Sequence, residues 1–194
     1  MVRLAILAAI IAVMAYTPIG YLRVATIEIT FIMIPVAIAA IIVGPGGGAV
    51  AGGIFGLTSF MQCFGTSIFG TTLFGVNPLF TFILCMVPRI LAGWLPGLAF
   101  NAVQKIWKNT TISVTAASFL APVLNTILFV GALLLLFGSS DYIKGFGETT
   151  WAIIVLLVGI NGIVEAVVGI VIGAAVSRAL IHFIPEKRKG ESGE

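Results

Sequence analysis

The sequence predicts an all-α integral membrane protein with six transmembrane helices and both termini in the cytoplasm. Of its 194 residues, 60% are hydrophobic and only 9% are charged, whereas about 25% are charged in a typical soluble domain. The apolar residues lie in blocks separated by glycine, proline and charged residues, which is the pattern of helices that cross a membrane. A soluble core of this length does not require so much apolar surface, so composition favours a polytopic membrane protein.

Six hydrophobic blocks are predicted to form a single membrane domain over residues 1–194. The first three blocks are short for a hydrocarbon core about 30 Å thick. We therefore expect them to form tilted helices, or helices that continue into their loops. The predicted spans are 4–17, 29–43, 49–64, 79–100, 112–137 and 151–183.

The placement of lysine and arginine predicts the orientation, because cytoplasmic loops are enriched in these residues. Six spans put both termini on the same side, and the opposite loops contain only Arg23 and Lys144. Both termini are therefore predicted to be cytoplasmic. The basic residues collected on that side are Arg3, Lys105, Lys108, Arg178, Lys187, Arg188 and Lys189.

Several functional classes are excluded by what the sequence lacks. The net charge of +3 is too small to indicate nucleic-acid binding, and the basic residues lie at the ends of segments. No HExxH, GxSxG or Walker motif occurs, so no catalytic residue is predicted and the chain cannot hydrolyse ATP alone. The single histidine, His182, argues against a histidine-based metal site, and no metal or cofactor is predicted. Cys63 and Cys85 are expected to be buried thiols.

Glycine recurs every four residues at the start of the third span, at Gly44, Gly48, Gly52 and Gly56. This spacing places a ridge without side chains along one face of a helix, so that a second helix can approach closely. Packing within the protein is the interpretation that such patterns favour.

Small residues also recur in the first span, where Ala5 and Ala9 form one AxxxA pair and Ala8 and Ala12 form another. The rest of this short span is Ile, Leu, Val and Met. An alanine stripe on such a helix suits docking to a separate membrane subunit.

The connection 64–77 is uncharged and rich in Gly, Ser, Thr and Phe. It is more apolar than a solvated loop, so we expect it to fold back over the protein as a lid. The alternative is a connection that dips into the membrane and has no role in ligand binding.

Arg89 lies about halfway along the span 79–100, between Pro88 and the more distant Pro96. An arginine at the bilayer centre costs roughly 3 kcal/mol on insertion scales. It therefore has to face a protein interior or a wet cavity and find an anionic or carbonyl partner.

Four further polar residues are candidate ligand groups: Asn77, Asn125, Asn161 and Glu165. Asn161 and Glu165 share one helix face at spacing i, i+4. Three interpretations remain open for Arg89 and Glu165. They form a structural ion pair, or they bind a ligand whose anionic group Arg89 holds, or Glu165 relays protons in a coupled carrier.

Two stretches resemble one family of membrane proteins. The run I-E-I-T-F-I-M-I-P-V-A-I-A-A-I-I-V-G-P-G-G-G-A-V-A-G-G-I-F-G-L-T-S (27–59) resembles the second and third helices of the substrate-binding S components of energy-coupling factor (ECF) vitamin transporters. The segment N-P-L-F…V-P-R-I-L-A-G (77–93) resembles their pantothenate-specific branch. The predicted topology and the AxxxA motif also match.

The resemblance implies capture of a vitamin, pantothenate above all, near the outer face of a prokaryotic cell membrane. It implies assembly with a transmembrane coupling subunit and two cytoplasmic ATPases, with the alanine stripe contacting the coupling subunit. Pantothenate has a carboxylate for Arg89, and its amide and hydroxyls suit Asn77, Asn125, Asn161 and Glu165. The alternatives are an S component for another vitamin or small precursor, a standalone proton-coupled carrier, and a membrane scaffold that transports nothing.

Overall fold

The computed structural model describes residues 2–17, 20–24, 27–140 and 143, with only the backbone described for 21–24 and 27–29. Helices dominate these residues, as predicted, and a two-stranded hairpin joins the first two helices. The elements are α1 (Val2–Ala15), β1 (Tyr21–Val24), β2 (Ile27–Thr30), α2 (Met33–Ile42), α3 (Pro45–Gln62), α4 (Ile68–Val76), α5 (Pro78–Trp107) and α6 (Thr110–Phe137).

Two of the described helices, α5 and α6, are long and apolar enough to cross a membrane. They contain 30 and 28 residues, and at 1.5 Å per residue each exceeds the roughly 30 Å of a hydrocarbon core. The helices α1 and α2 are apolar but shorter. Described helices overlap five of the six predicted spans, and the sixth, 151–183, lies outside the described residues.

The structure places a hairpin and a helix in two of the predicted connections, and the hairpin corrects the start of the second span. Residues 29 and 30, predicted to begin the second span, belong to β2, which pairs antiparallel with β1, and α2 begins only at Met33. The connection 64–77 contains the helix α4, whose N-cap Ser67 accepts a hydrogen bond from the backbone N–H of Gly70 at 3.2 Å. That cap satisfies one of the free donors at the helix N-terminus and explains where α4 begins.

Two apolar clusters hold the described helices together. The larger one joins α1, α2 and α3 through fully buried side chains that include Ile11, Val36 and Phe55. The smaller one fastens α4 to α5 and α6, because Leu73 packs with Leu84 and Leu133. The segment 64–77 therefore folds back over the bundle, as expected.

A tight turn reverses the chain between α5 and α6. Lys108 adopts a left-handed conformation with φ of 51°, and Asn109 caps α6 by accepting hydrogen bonds from Thr111 N at 3.0 Å and Ile112 N at 3.3 Å. Gln104 strengthens the turn, since its side-chain oxygen accepts a hydrogen bond of 2.8 Å from Ser113. These contacts set α6 antiparallel against α5.

Candidate functional site

The glycine ridge of α3 sets the distance between α3 and α5. A β-carbon on Gly48 would overlap the carbonyl oxygen of Gly93, and one on Gly52 would overlap that of Arg89. A β-carbon on Gly56 would lie 2.8 Å from the carbonyl oxygen of Cys85. Backbone therefore packs directly on backbone, which confirms that the ridge serves internal packing. The contact fixes the segment of α5 that carries Arg89.

Pro88 determines where the side chain of Arg89 goes. In an α-helix the carbonyl of residue i−4 accepts from the N–H of residue i, but proline has no N–H. The carbonyl of Leu84 thus has no helical donor at position 88, and Nη1 of Arg89 donates a hydrogen bond to it at 2.7 Å. The proline supplies a buried acceptor for the arginine that follows it.

The guanidinium of Arg89 is buried between aromatic rings. Its central carbon lies 4.3 Å from the ring centroid of Phe129 on α6 and 5.6 Å from that of Phe55 on α3. Both distances suit cation–π attraction, worth about 0.5–2 kcal/mol. Within the described part of the chain, however, Nε has no hydrogen-bond partner. A buried guanidinium with an unused donor favours binding of an anion.

The side chain of Arg89 lines a cavity of about 60 Å³, called the Arg89 cavity below. The walls come from one end of the bundle: the C-terminal end of α3, the helix α4, the N-terminal half of α5 and the C-terminal half of α6. The lining residues are Ser59, Gln62, Cys63, Ser67, Phe69, Gly70, Leu73, Thr81, Leu84, Cys85, Arg89 and Phe129. Hydroxyl, amide, thiol and cationic groups thus converge on one buried space.

The other predicted site residues are placed differently. Asn77 caps α5, with its Oδ1 accepting a hydrogen bond of 3.1 Å from Phe80 N, and it is not among the residues lining the Arg89 cavity. Asn125 is buried on α6, one turn before Phe129, and its Oδ1 has no hydrogen-bond partner within the described residues. Asn161 and Glu165 lie outside the described residues, so the ion pair between Arg89 and Glu165 stays a prediction.

Comparison with known proteins identifies the class of this site. Residues 1–177 match the family "ECF transporter, substrate-specific component". The chain belongs to this family. Such S components are membrane proteins that bind vitamins and work with a coupling subunit and ATPases. The family resemblance drawn from the sequence is confirmed, and the protein is a transporter component rather than an enzyme.

The sequences of two named relatives align with most of this S component. A protein named pantothenate transporter PanT from Leuconostoc mesenteroides is 33% identical over 174 residues, which cover 87% of this chain and 82% of the relative. A protein named pantothenic acid transporter PanT from Lactococcus lactis is 27% identical over 165 residues, covering 78% of this chain and 76% of the relative.

The alanine stripe of this S component lies on a face of α1 that the described residues do not cover. Leu7, Ile11 and Ala15, on the neighbouring face of α1, are buried against the bundle. Ala5 and Ala9 are exposed, and Ala8 and Ala12 are partly exposed. An exposed strip of small side chains on an apolar helix suits close packing with another membrane helix.

Sequence reasoning missed most of the polar wall of the Arg89 cavity. Thr81 and Cys85 precede Arg89 by two turns and one turn on the same face of α5, and Ser59 and Gln62 share a face near the end of α3. The i, i+4 spacing of Thr81, Cys85 and Arg89 was a usable signal. The pairing of α3 with α5 beside them follows from the glycine ridge.

Proposed function

We propose that this S component captures pantothenate and delivers it through an ECF-type importer. The names of the two relatives supply the ligand. The observation that carries the proposal is the buried guanidinium of Arg89, which lines a polar cavity and whose Nε has no hydrogen-bond partner among the described residues. A planar guanidinium binds a carboxylate through two parallel hydrogen bonds, and the carboxylate is the charged group of pantothenate.

The remaining polar groups of pantothenate match the wall of the Arg89 cavity. Its amide and two hydroxyls need donors and acceptors. Ser59 and Gln62 offer both kinds, and Thr81, whose hydroxyl donates to the carbonyl of Asn77 at 2.9 Å, offers an acceptor. Oδ1 of Asn125 is buried without a hydrogen-bond partner among the described residues, and Asn125 precedes the cavity residue Phe129 by one turn of α6, so we assign it to the same ligand. Ligand roles for Asn77, Asn161 and Glu165 stay predictions, and Oδ1 of Asn77 already caps α5.

Entry of pantothenate requires the Arg89 cavity to enlarge. About 60 Å³ holds a few water molecules, which is too little for a molecule with a carboxylate, an amide and two hydroxyls. The N-cap Ser67 and the α4 residues Phe69, Gly70 and Leu73 form part of the wall. We propose that α4 is the lid and that its displacement admits the ligand.

Transport also requires orientation and partners. We propose six spans with both termini in the cytoplasm of a prokaryotic cell, so that the Arg89 cavity lies toward the outer face. The exposed stripe of Ala5 and Ala9 then contacts the transmembrane coupling subunit, which acts with two cytoplasmic ATPases. Exposure of small residues on an otherwise apolar helix supports this assignment.

Titration calorimetry on the purified protein in detergent tests the ligand. Wild-type protein is expected to bind pantothenate, and Arg89→Ala to lose affinity about a hundredfold or more, because a buried charge loses its partner. Arg89→Lys keeps the charge but not the planar fork and is expected to fall between the two.

The control is Lys105→Ala, an exposed cation on the distant end of α5, which should bind as wild type does. Unchanged affinity in Arg89→Ala would overturn the role of Arg89. Binding of a different vitamin, with no heat from pantothenate, would establish the alternative S component.

A further inference from the structure

Two cysteines lie side by side in the wall of the Arg89 cavity. Cys63 is the C-cap residue of α3 and Cys85 belongs to α5, and their Sγ atoms are 3.9 Å apart with no disulfide between them. The side chains are 3% and 5% exposed. Because both residues line the cavity, any small molecule inside it meets both thiols.

The surrounding backbone holds this pair in place. The ridge residue Gly56 lies against the carbonyl of Cys85, where a β-carbon would approach to 2.8 Å, so α3 and α5 are already in contact beside the thiols. Ser59 contacts both cysteines, since its carbonyl oxygen accepts a hydrogen bond of 3.5 Å from the thiol of Cys63 and its hydroxyl donates to Sγ of Cys85 at 4.0 Å. A disulfide requires an S–S distance of about 2.05 Å, so small side-chain rotations have to close the remaining gap.

We propose that Cys63 and Cys85 are a modification site, a dithiol that hydrogen peroxide oxidises to a disulfide and that thereby weakens ligand binding. The effect on the ligand rests on the proposed function, whereas the disulfide itself does not. Hydrogen peroxide is neutral and little larger than water, so it fits a cavity of about 60 Å³.

The reaction is balanced by the two thiols and one peroxide. One thiolate attacks a peroxide oxygen, the O–O bond breaks, and a sulfenic acid and a water molecule form. The second thiolate attacks the sulfenic sulfur and releases a second water, leaving the S–S bond. The two sulfurs lose two electrons in total, and both oxygen atoms of the peroxide end as water.

A disulfide here changes both the wall and the lid of the cavity. It removes two S–H groups that face the ligand and ties the end of α3 to α5. The lid α4 rests on the same point, because a β-carbon on Gly70 would lie 2.7 Å from Sγ of Cys63. Because the disulfide moves this sulfur toward Cys85, it alters the surface on which α4 rests.

The test treats purified full-length protein with hydrogen peroxide and follows its intact mass and its pantothenate affinity. We expect the intact mass of the wild type to fall by that of two hydrogen atoms and its pantothenate affinity to fall at least tenfold. Reduction with dithiothreitol should restore both the mass and the affinity. Bound pantothenate should slow the oxidation, since it occupies the same cavity.

Cys63→Ser and Cys85→Ser are the matched controls, and neither is expected to lose two hydrogen atoms in mass, because each has only one of the two thiols that a disulfide needs. Persistence of both thiols in the wild type under peroxide would overturn the site. A disulfide that leaves pantothenate affinity unchanged would overturn its effect on binding. If reduced wild-type protein binds no pantothenate, the proposed ligand fails, while the mass still decides the disulfide.

Discussion

Nη1 of Arg89 donates a 2.7 Å hydrogen bond to the carbonyl oxygen of Leu84, the acceptor that Pro88 leaves without a helical donor. A proline inside a helix normally costs about 3 kcal/mol, partly through the missing hydrogen bond. Here the next residue in the chain supplies the donor from its side chain. The adjacent Pro-Arg pair therefore anchors a cation inside an apolar bundle and directs it toward a cavity.

Restoring the backbone N–H at position 88 tests this relationship. In Pro88→Ala the new N–H competes with Arg89 for the carbonyl of Leu84, so the helix should become more stable while the guanidinium loses its anchor. We expect thermal stability to rise or stay level and pantothenate affinity to fall about tenfold, or roughly 1.4 kcal/mol. Thermal unfolding and titration calorimetry of the same preparation measure both.

Pro96→Ala serves as the control, because this buried proline lies two turns further along α5, away from the Arg89 cavity. It should leave pantothenate affinity unchanged. Equal loss of affinity in both variants would show that helix geometry matters in general, and that the contact between Arg89 and Leu84 does not orient the guanidinium.

Neighbouring glycines on α3 provide a matched pair for the helix contact. A β-carbon on Gly52 would overlap the carbonyl of Arg89, whereas one on Gly53 meets only a side-chain carbon of Ile90 at 3.7 Å. Gly52→Ala is expected to destabilise the protein by about 1–3 kcal/mol through overpacking, and to weaken pantothenate binding because it displaces Arg89. Gly53→Ala should be neutral in thermal unfolding and calorimetry, so similar losses in the two variants would contradict the ridge.

The burial of Arg89 and the glycine ridge were both predictable, because each follows from the residue pattern within a single helix. A charge inside an apolar block has to face the protein interior, and glycines four residues apart share a face. The helical class followed from composition for the same reason.

The polar wall of the cavity was harder to predict because it depends on contacts between helices. Gln62 illustrates this, since its side chain crosses to α1 and donates a 2.7 Å hydrogen bond to the carbonyl of Ala15 while also lining the cavity. The helix α4 was missed because a segment of nine residues carries little periodic signal. The hairpin was missed because strand β2 runs directly into the apolar residues of the second block.

An aromatic cluster fastens the proposed lid α4 to its neighbours. The ring of Phe60 on α3 lies 6.0 Å from that of Phe74 on α4 and 5.1 Å from that of Phe82 on α5. Phe60→Ala removes the central ring, so we expect α4 to open more easily and bound pantothenate to dissociate several-fold faster. Stopped-flow release of labelled pantothenate measures the rate.

The control for the lid is Ile68→Ala, at a side chain of α4 that is 82% exposed. It should leave the dissociation rate unchanged, since Ile68 packs against little of the described protein. A Phe60→Ala variant that releases pantothenate at the wild-type rate would contradict the lid role of α4.

The exposed alanine stripe of α1 predicts a defect in transport without a defect in binding. Ala9→Trp puts a large side chain on the alanine stripe, where a coupling-subunit helix is expected to approach, so the two helices can no longer pack closely there. Pantothenate affinity should stay at the wild-type level, because Ala9 lies on the side of α1 away from the packed core. Co-purification with the coupling subunit and uptake in proteoliposomes should both fall at least tenfold.

Ile10→Trp is the matched control, because Ile10 is also exposed but lies on a different face of α1 from the alanine stripe. It introduces the same indole ring on the same helix and should leave assembly and uptake intact. Equal loss in both variants would place the contact on more of α1 than the stripe. Uptake by the S component in liposomes without the coupling subunit and ATPases would instead establish a standalone carrier, since a component dependent on its partners transports nothing alone.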